Sequence, residues 1–198
     1  MPVPPDRAAV AAVVLAAGAS RRMGRPKLLL THQGRPLLRR AVEAAADGGC
    51  DPVVVVLGAD AEHYRPLLEG TPALIVHNPE YEYGMSTSIR AGIEALPEDT
   101  RAAVILLADQ PFIDGEIVRR LVETYRATGG KIVACRYGEV VGVPTLFDRA
   151  VFLDLLVLDG DQGARQVVQA YPRRVVTVEI PPEAARDVDT PQDAAVLR

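Results

Sequence analysis

A chain of 198 residues that is 48% hydrophobic and 24% charged is long enough to bury a substantial core, with the make-up of an ordinary soluble globular protein. Its formal net charge of −4 argues against a general affinity for nucleic acid or an anionic membrane. Cys50 and Cys135 show no ligand spacing and the three histidines are scattered, so a reduced, cytoplasmic setting is expected, with one disulfide as the alternative.

The first apolar run, AVAAVVLA at 9–16, reads as a strand buried on both faces. A signal-peptide reading is set aside because the preceding segment offers only Asp6 and Arg7, and the run is too short to span a bilayer. Beyond it lies an uneven stretch of charge: seven Lys and Arg between Gly18 and Val42, and no acid. Further strands are expected at PVVVVLG, ALIVH, AAVILLA and KIVAC. Helical faces separate them: Leu37, Leu38, Ala41, Val42 and Ala45; then Met85, Ile89, Ile93 and Leu96; then Ile117, Val118, Leu121, Val122 and Tyr125. Arg39 and Arg40 fall off the first of these faces and should point to solvent. After Cys135 the regularity weakens, with extended pieces at 139–146 and 174–180 and helices around 148–157 and 161–171. A last helix is expected near Thr190, where TPQD offers a cap and a first-turn proline. The alternation predicts a single α/β domain over 1–198, three-layered and Rossmann-like, with a mostly parallel sheet.

Ligands of such sheets sit beyond the carboxyl ends of the strands. In the loop after the first strand, Gly18 permits a tight turn and the small Ala16, Ala17 and Ala19 let backbone N–H groups approach a ligand. Arg21, Arg22, Arg25 and Lys27 crowd the same rim, and donors plus cations suit a polyphosphate. A Walker A loop does not fit, because five residues separate Gly18 from Gly24 and Arg25 follows. A dinucleotide fingerprint does not fit either, since GASRRMG lacks the second glycine. Asp109, at the carboxyl end of AAVILLADQP, would face the crevice, well placed for Mg²⁺. In DVDT both Asp187 and Asp189 are available, and if the piece is extended they are expected to point to opposite faces. YGMSTSIRAG places Gly84, Ser86, Thr87 and Ser88 at a helix start, where anions bind and hydroxyls also cap. GDQGAR brings Asp161, Gln162 and Arg165 ahead of an apolar helix.

LAAGASRRMGRPKLLL resembles the signature LxxGxSxRMGxxK of MobA-like NTP transferases, as found in the molybdopterin cytidylyl- and guanylyltransferases. NPEYEYGMSTSIRAG, LADQPFI, GDQGAR and DVDTPQD follow in the order of the cytidylyl branch, so the resemblance covers almost the whole chain. It implies a nucleotide-binding part at about 10–112 and an acceptor-binding part at about 113–198. Leu15, Ala16, Ala17, Gly18, Arg22, Lys27, Ser86, Ser88 and Asp109 would bind the nucleotide. Gly142, Pro144, Asp161, Gln162 and Arg165 would face the acceptor, and Asp109 and Asp189 would hold Mg²⁺. The implied reaction moves CMP from CTP to the phosphate of a pterin, the molybdenum cofactor, with release of pyrophosphate and a molybdoenzyme as possible client. Lys27 would neutralise the α-phosphate and Arg22 the departing pyrophosphate; an ionised phosphate nucleophile needs no general base. Gly142-Val143-Pro144 departs from the family's G-H/N-P tripeptide and leaves the acceptor open. The alternatives are guanylyl transfer from GTP, cytidylyl transfer to another phosphorylated small molecule, and a non-catalytic cofactor carrier.

Overall fold

Continuous apolar runs with small residues at their ends fold here into a seven-stranded sheet with helices on both faces. The computed structural model describes residues 9–197, so Asp6 and Arg7 of the leader reading lie outside it. The strands are β1 Val10–Ala16, β2 Thr31–His32, β3 Arg35–Pro36, β4 Val53–Leu57, β5 Ala73–His77, β6 Ala102–Leu107, β7 Ile132–Tyr137, β8 Val140–Asp148 and β9 Val175–Glu179. The helices are α1 Leu37–Asp47, α2 Ala61–Tyr64, α3 Met85–Glu94, α4 Gly115–Thr128, α5 Phe152–Leu156 and α6 Ala164–Ala170. The sheet order is β5-β4-β1-β6-β8-β7-β9, and β2 and β3 form a separate small hairpin. Every pairing in the large sheet is parallel except those of β8 with β6 and β7. The fold is thus the expected α/β architecture, its sheet mixed but mostly parallel.

Period-two alternation divides β1 between two cores. Val10, Ala12, Val14 and Ala16 pack with the buried faces of α1 and α4 on one side. Val13, Leu15 and Ala17 pack with Ile89, Ile93 and residues of α5 and α6 on the other. Both faces of β1 and β4 are therefore dry, which is why their sequences carry no polar alternation. Each fully buried Val or Leu in this arrangement contributes ~1.5–3 kcal/mol. The strand order reverses beside β1, so the carboxyl ends of β1 and β6 open onto one crevice.

Three expectations are corrected. The segment after Thr190 forms only a 3₁₀ turn, Asp193–Leu197, and no α-helix among the described residues. Its cap does form, with the Asp193 N–H donating to Thr190 Oγ1 at 3.3 Å, but a single short turn follows, docked by a contact between His32 Nδ1 and the Leu197 carbonyl. Met85 begins α3 yet is 40% exposed, because it lines the main cleft instead of packing on the sheet, while Ser86, Thr87 and Ser88 of the same turn are buried. Arg39 and Arg40 are not solvent-pointing: Arg39 donates to the Leu67 and Glu69 carbonyls, and Arg40 to the Pro111 carbonyl at 3.1 Å. Both side chains are long enough to curl from the polar flank of α1 onto neighbouring loops.

Candidate active site

The loop that leaves β1 is wound around Ser20, a non-glycine residue held at φ 51°. Its carbonyl accepts the N–H groups of Met23 and Gly24, and its hydroxyl accepts the N–H of Lys27 at 3.2 Å. Met23 and Leu28 are buried. The loop is nailed to the core at two points, and the cations beside them, Arg22 and Lys27, line a cleft of about 590 Å³. That volume suits a small-molecule ligand. Leu15, Ala16, Ala17, Gly18, Ser88, Asp109, Asp161 and Asp189 line the same cleft, so most of the residues singled out in the sequence converge there. Arg21 also lines it and pairs at 3.8 Å with Glu82, whereas Arg25 is not part of its wall.

Lys27 is the centre of the constellation. Its Nζ donates to Asp109 Oδ2 at 2.5 Å and to Asp189 Oδ1 at 2.7 Å, and Arg22 donates to Asp189 Oδ2 at 2.8 Å. Burial alone would lower the Lys27 pKa, but the charge of Asp109 and the hydrogen bonds to Asp109 and Asp189 outweigh it and raise the value. Two segments far apart in sequence bring these acids together. Asp109 follows the buried end of β6, and its carbonyl accepts the Val188 N–H at 2.9 Å. Asp189 is held from behind by Asp193, whose Oδ2 accepts the N–H groups of Asp189 and Thr190 and the Thr190 hydroxyl.

Asp187 lines the cleft as well, which corrects the expectation that it and Asp189 would face apart. They are two residues apart, and extended backbone turns such residues to one side. Desolvation in the cleft, followed by the charge of Asp109, pushes the Asp187 carboxyl up to about 6.

The acids fit a divalent cation. Lys27 Nζ already occupies one point within reach of both Asp109 and Asp189, and Asp109 Oδ1 is buried with no hydrogen-bond partner. Among the described residues no group of three or more His, Cys, Asp or Glu is arranged to hold a metal alone. A two-carboxylate site with its other oxygens from phosphate and water is the usual way Mg²⁺ is bound.

The start of α3 is otherwise employed. Ser86 is buried away from the cleft wall, and its N–H donates to the Gly160 carbonyl at 3.1 Å. Asn78 Nδ2 donates to Thr87 Oγ1 and Ser88 Oγ, and of the hydroxyl residues Ser86, Thr87 and Ser88 only Ser88 lines the cleft. Gly84, at φ 111°, lies so close to the 159–163 loop that a Cβ there would sit 2.2 Å from the Gly160 carbonyl carbon. The expected acceptor residues are dispersed. Asp161 is in the main cleft, Arg165 lines a second cleft of about 340 Å³ with Arg136, and Gly142 and Pro144 lie within β8 in neither wall. Gln162 turns back, its Oε1 accepting the Asp159 N–H. Tyr81 and Glu82, which line the cleft, carry no site signal of their own in the sequence. Asp193 stands three residues after Thr190, where it was read only as a helix cap.

The MobA-like NTP transferase domain family matches residues 12–175. Nicotine blue oxidoreductase of Paenarthrobacter nicotinovorans is 34% identical over 195 residues, 93% of this chain and 94% of that protein. The crystal structure of Rv0371c from Mycobacterium tuberculosis H37Rv superposes at TM-score 0.82 with 31% identity, covering 96% of this chain and 97% of that one. The same protein in complex with manganese superposes at TM-score 0.77 with 29% identity, again over 96% and 97% of the two chains. A nucleotidyl transferase from Methanothermobacter superposes at TM-score 0.82 with 25% identity, over 96% of each chain. No described helix is long and apolar enough to cross a membrane.

Proposed function

The chain belongs to the MobA-like NTP transferase family, and from that premise we propose that it transfers CMP from CTP to the phosphate of the molybdenum cofactor, a phosphorylated pterin. The observation that carries the proposal is the Lys27–Asp109–Asp189 constellation beside the cationic β1 loop. In the proposed reaction an acceptor phosphate oxygen attacks the α-phosphorus of CTP. The new P–O bond forms as the bond to the β-phosphate oxygen breaks, and pyrophosphate leaves with that electron pair. Lys27 neutralises charge at the α-phosphate, and Arg22, 72% exposed at the cleft rim, follows the leaving pyrophosphate. The acceptor phosphate is already ionised at neutral pH, so no side chain has to remove a proton. Asp109 and Asp189 would hold Mg²⁺, whose chemistry there is to neutralise the transferring and leaving phosphates. Leu15 to Gly18 and Ser88 would seat the nucleotide, and Asp161 would meet the acceptor. The division near residue 112 into nucleotide and acceptor parts belongs to this reading.

The cytidylyl choice is supported by Ala17 within LAAG and by GDQGAR, both of which resemble the cytidylyl branch. A second reading, reduction of a small molecule, is favoured by the long match to nicotine blue oxidoreductase. One experiment separates them: turnover of each NTP with Mg²⁺, with and without a molybdopterin-type acceptor, followed by pyrophosphate release. Acceptor-dependent release fastest with CTP is expected. Release fastest with GTP moves the reading to guanylyl transfer. No release from any nucleotide, with consumption of a reduced dinucleotide in the presence of nicotine blue, replaces it with the oxidoreductase.

A further inference from the structure

We infer that Lys27 is the resident cation of the carboxylate pair, so that a divalent metal and the lysine exchange places rather than share the site. The inference rests on the metal reading proposed above. Its basis is position: one ammonium group lies 2.5 Å from Asp109 Oδ2 and 2.7 Å from Asp189 Oδ1, so the point between these oxygens is taken by a positive charge. The lysine is well held there. It is 13% exposed, and its own backbone N–H is fixed to Ser20 Oγ. A metal that entered while Lys27 stayed would stand within bonding distance of the same oxygens and beside a like charge, where repulsion is strong in a partly dry cleft.

Something must therefore draw the lysine away, and the chemistry that does so is a new anion at the other end of its reach. A triphosphate seated on the Ala17–Arg22 loop supplies one. The lysine then turns from carboxylate to phosphate as the carboxylates turn from lysine to metal, and every charge keeps a partner throughout. Two consequences follow. The free chain binds divalent metal weakly, and metal and triphosphate bind with positive coupling to which this one side chain contributes beyond direct metal–phosphate contact. Removal of the lysine charge should open the metal site without nucleotide and reduce the coupling.

The test is Mn²⁺ binding to the full chain by titration calorimetry, with no nucleotide and with a non-hydrolysable CTP analogue. Wild type is compared with Lys27→Met, Lys27→Arg and Arg21→Ala, and thermal melting confirms folding. Lys27→Met should bind Mn²⁺ at least ~10-fold more tightly than wild type without nucleotide, and gain less from the analogue. Lys27→Arg should stay weak, because the charge remains. Arg21→Ala, which removes a cation of the same cleft that lies on neither acid, should change the Mn²⁺ affinity without nucleotide by less than ~2-fold. Equal gains in Lys27→Met and Arg21→Ala would reduce the effect to a diffuse field and overturn the exchange. Unchanged affinity in a folded Lys27→Met overturns it as well, and Asp109→Asn added to that variant identifies what else fails. If the double variant loses Mn²⁺, the metal site stands and only the exchange is wrong. If it binds as before, the metal reading falls too. Should Lys27→Met not fold, Mn²⁺ binding to Lys27→Arg decides: affinity well above wild type overturns the exchange, and weak binding upholds it.

Discussion

Two carboxylates grip one ammonium group, yet they reach it by different routes. Asp109 stands two residues past a strand buried through its first five residues, and its position follows from the core beneath it. Asp189 comes from a segment with no regular structure, held by the Val188–Asp109 backbone bond and by the Asp193 carboxylate. The first kind of placement is rigid because packing over-determines it. The second depends on a few hydrogen bonds, each worth only about 1 kcal/mol net. The same contrast runs through the chain: up to β6 the elements alternate regularly and their ends converge, whereas the later half sends isolated residues into the cleft.

The largest test of this contrast is the seam where the two halves meet. Gly84→Ala would place a Cβ against the Gly160 backbone at a positive φ, and neither side can move cheaply. A loss of ~3–5 kcal/mol is expected by urea unfolding. Gly142→Ala, in the later half, meets no atom within 4 Å and should stay within ~0.5 kcal/mol. A tolerated Gly84→Ala would mean that the halves are not pressed together there.

Next is Lys27→Ala, expected to lower kcat by ~10²–10³ with a smaller change in nucleotide affinity. Asp109→Asn should leave the fold intact and lose most activity. Asp193→Ala should reduce activity less, with a raised metal requirement, because it loosens only the support of Asp189. Steady-state kinetics across Mg²⁺ concentrations read all three. Equal losses at Asp109 and Asp193 would erase the distinction between strand-borne and loop-borne acids.

A smaller effect is expected at Arg40, which ties α1 to the Pro111 carbonyl just beyond Asp109. Arg40→Ala should cost ~1 kcal/mol of stability by urea unfolding.

The smallest effect concerns Asp148, away from the cleft. Burial would raise its pKa, but hydrogen bonds from Lys131, the Ala150 N–H and Tyr125 hold it below the ordinary 3.8. A depressed carboxylate stabilises the fold above its unfolded value, and that contribution is lost as pH falls through the lower folded value. Asp148→Asn should therefore cost ~0.5–1 kcal/mol at neutral pH, a difference that fades below pH 3.8 in pH-resolved melting. A pH-independent difference would assign the effect to packing.

Legibility in the sequence followed the same line. The buried strands were plain because residues dry on both faces leave unbroken apolar runs, and Asp109 was plain because it ends one. That Asp187 and Asp189 share a face follows from the period of two in extended chain; that they face Asp109 was not legible, since it depends on a backbone bond from Val188 to a carbonyl 79 positions earlier. Arg40 was misread because helical periodicity says which face is apolar and nothing about how far a flanking guanidinium reaches. Ser86 was read as a ligand donor although its N–H is engaged by Gly160, a partner no local pattern specifies.

That last bond turns the Ser86 amide into a natural probe. Its proton joins the first turn of α3 to the loop that carries Asp161, two segments that both reach the cleft. An acceptor that shifts the 159–163 loop must lengthen or tighten this bond, and the solvent-exchange rate of a single backbone proton would register the change. Arrival of the second substrate could then be timed by NMR without a label on the ligand and without turnover.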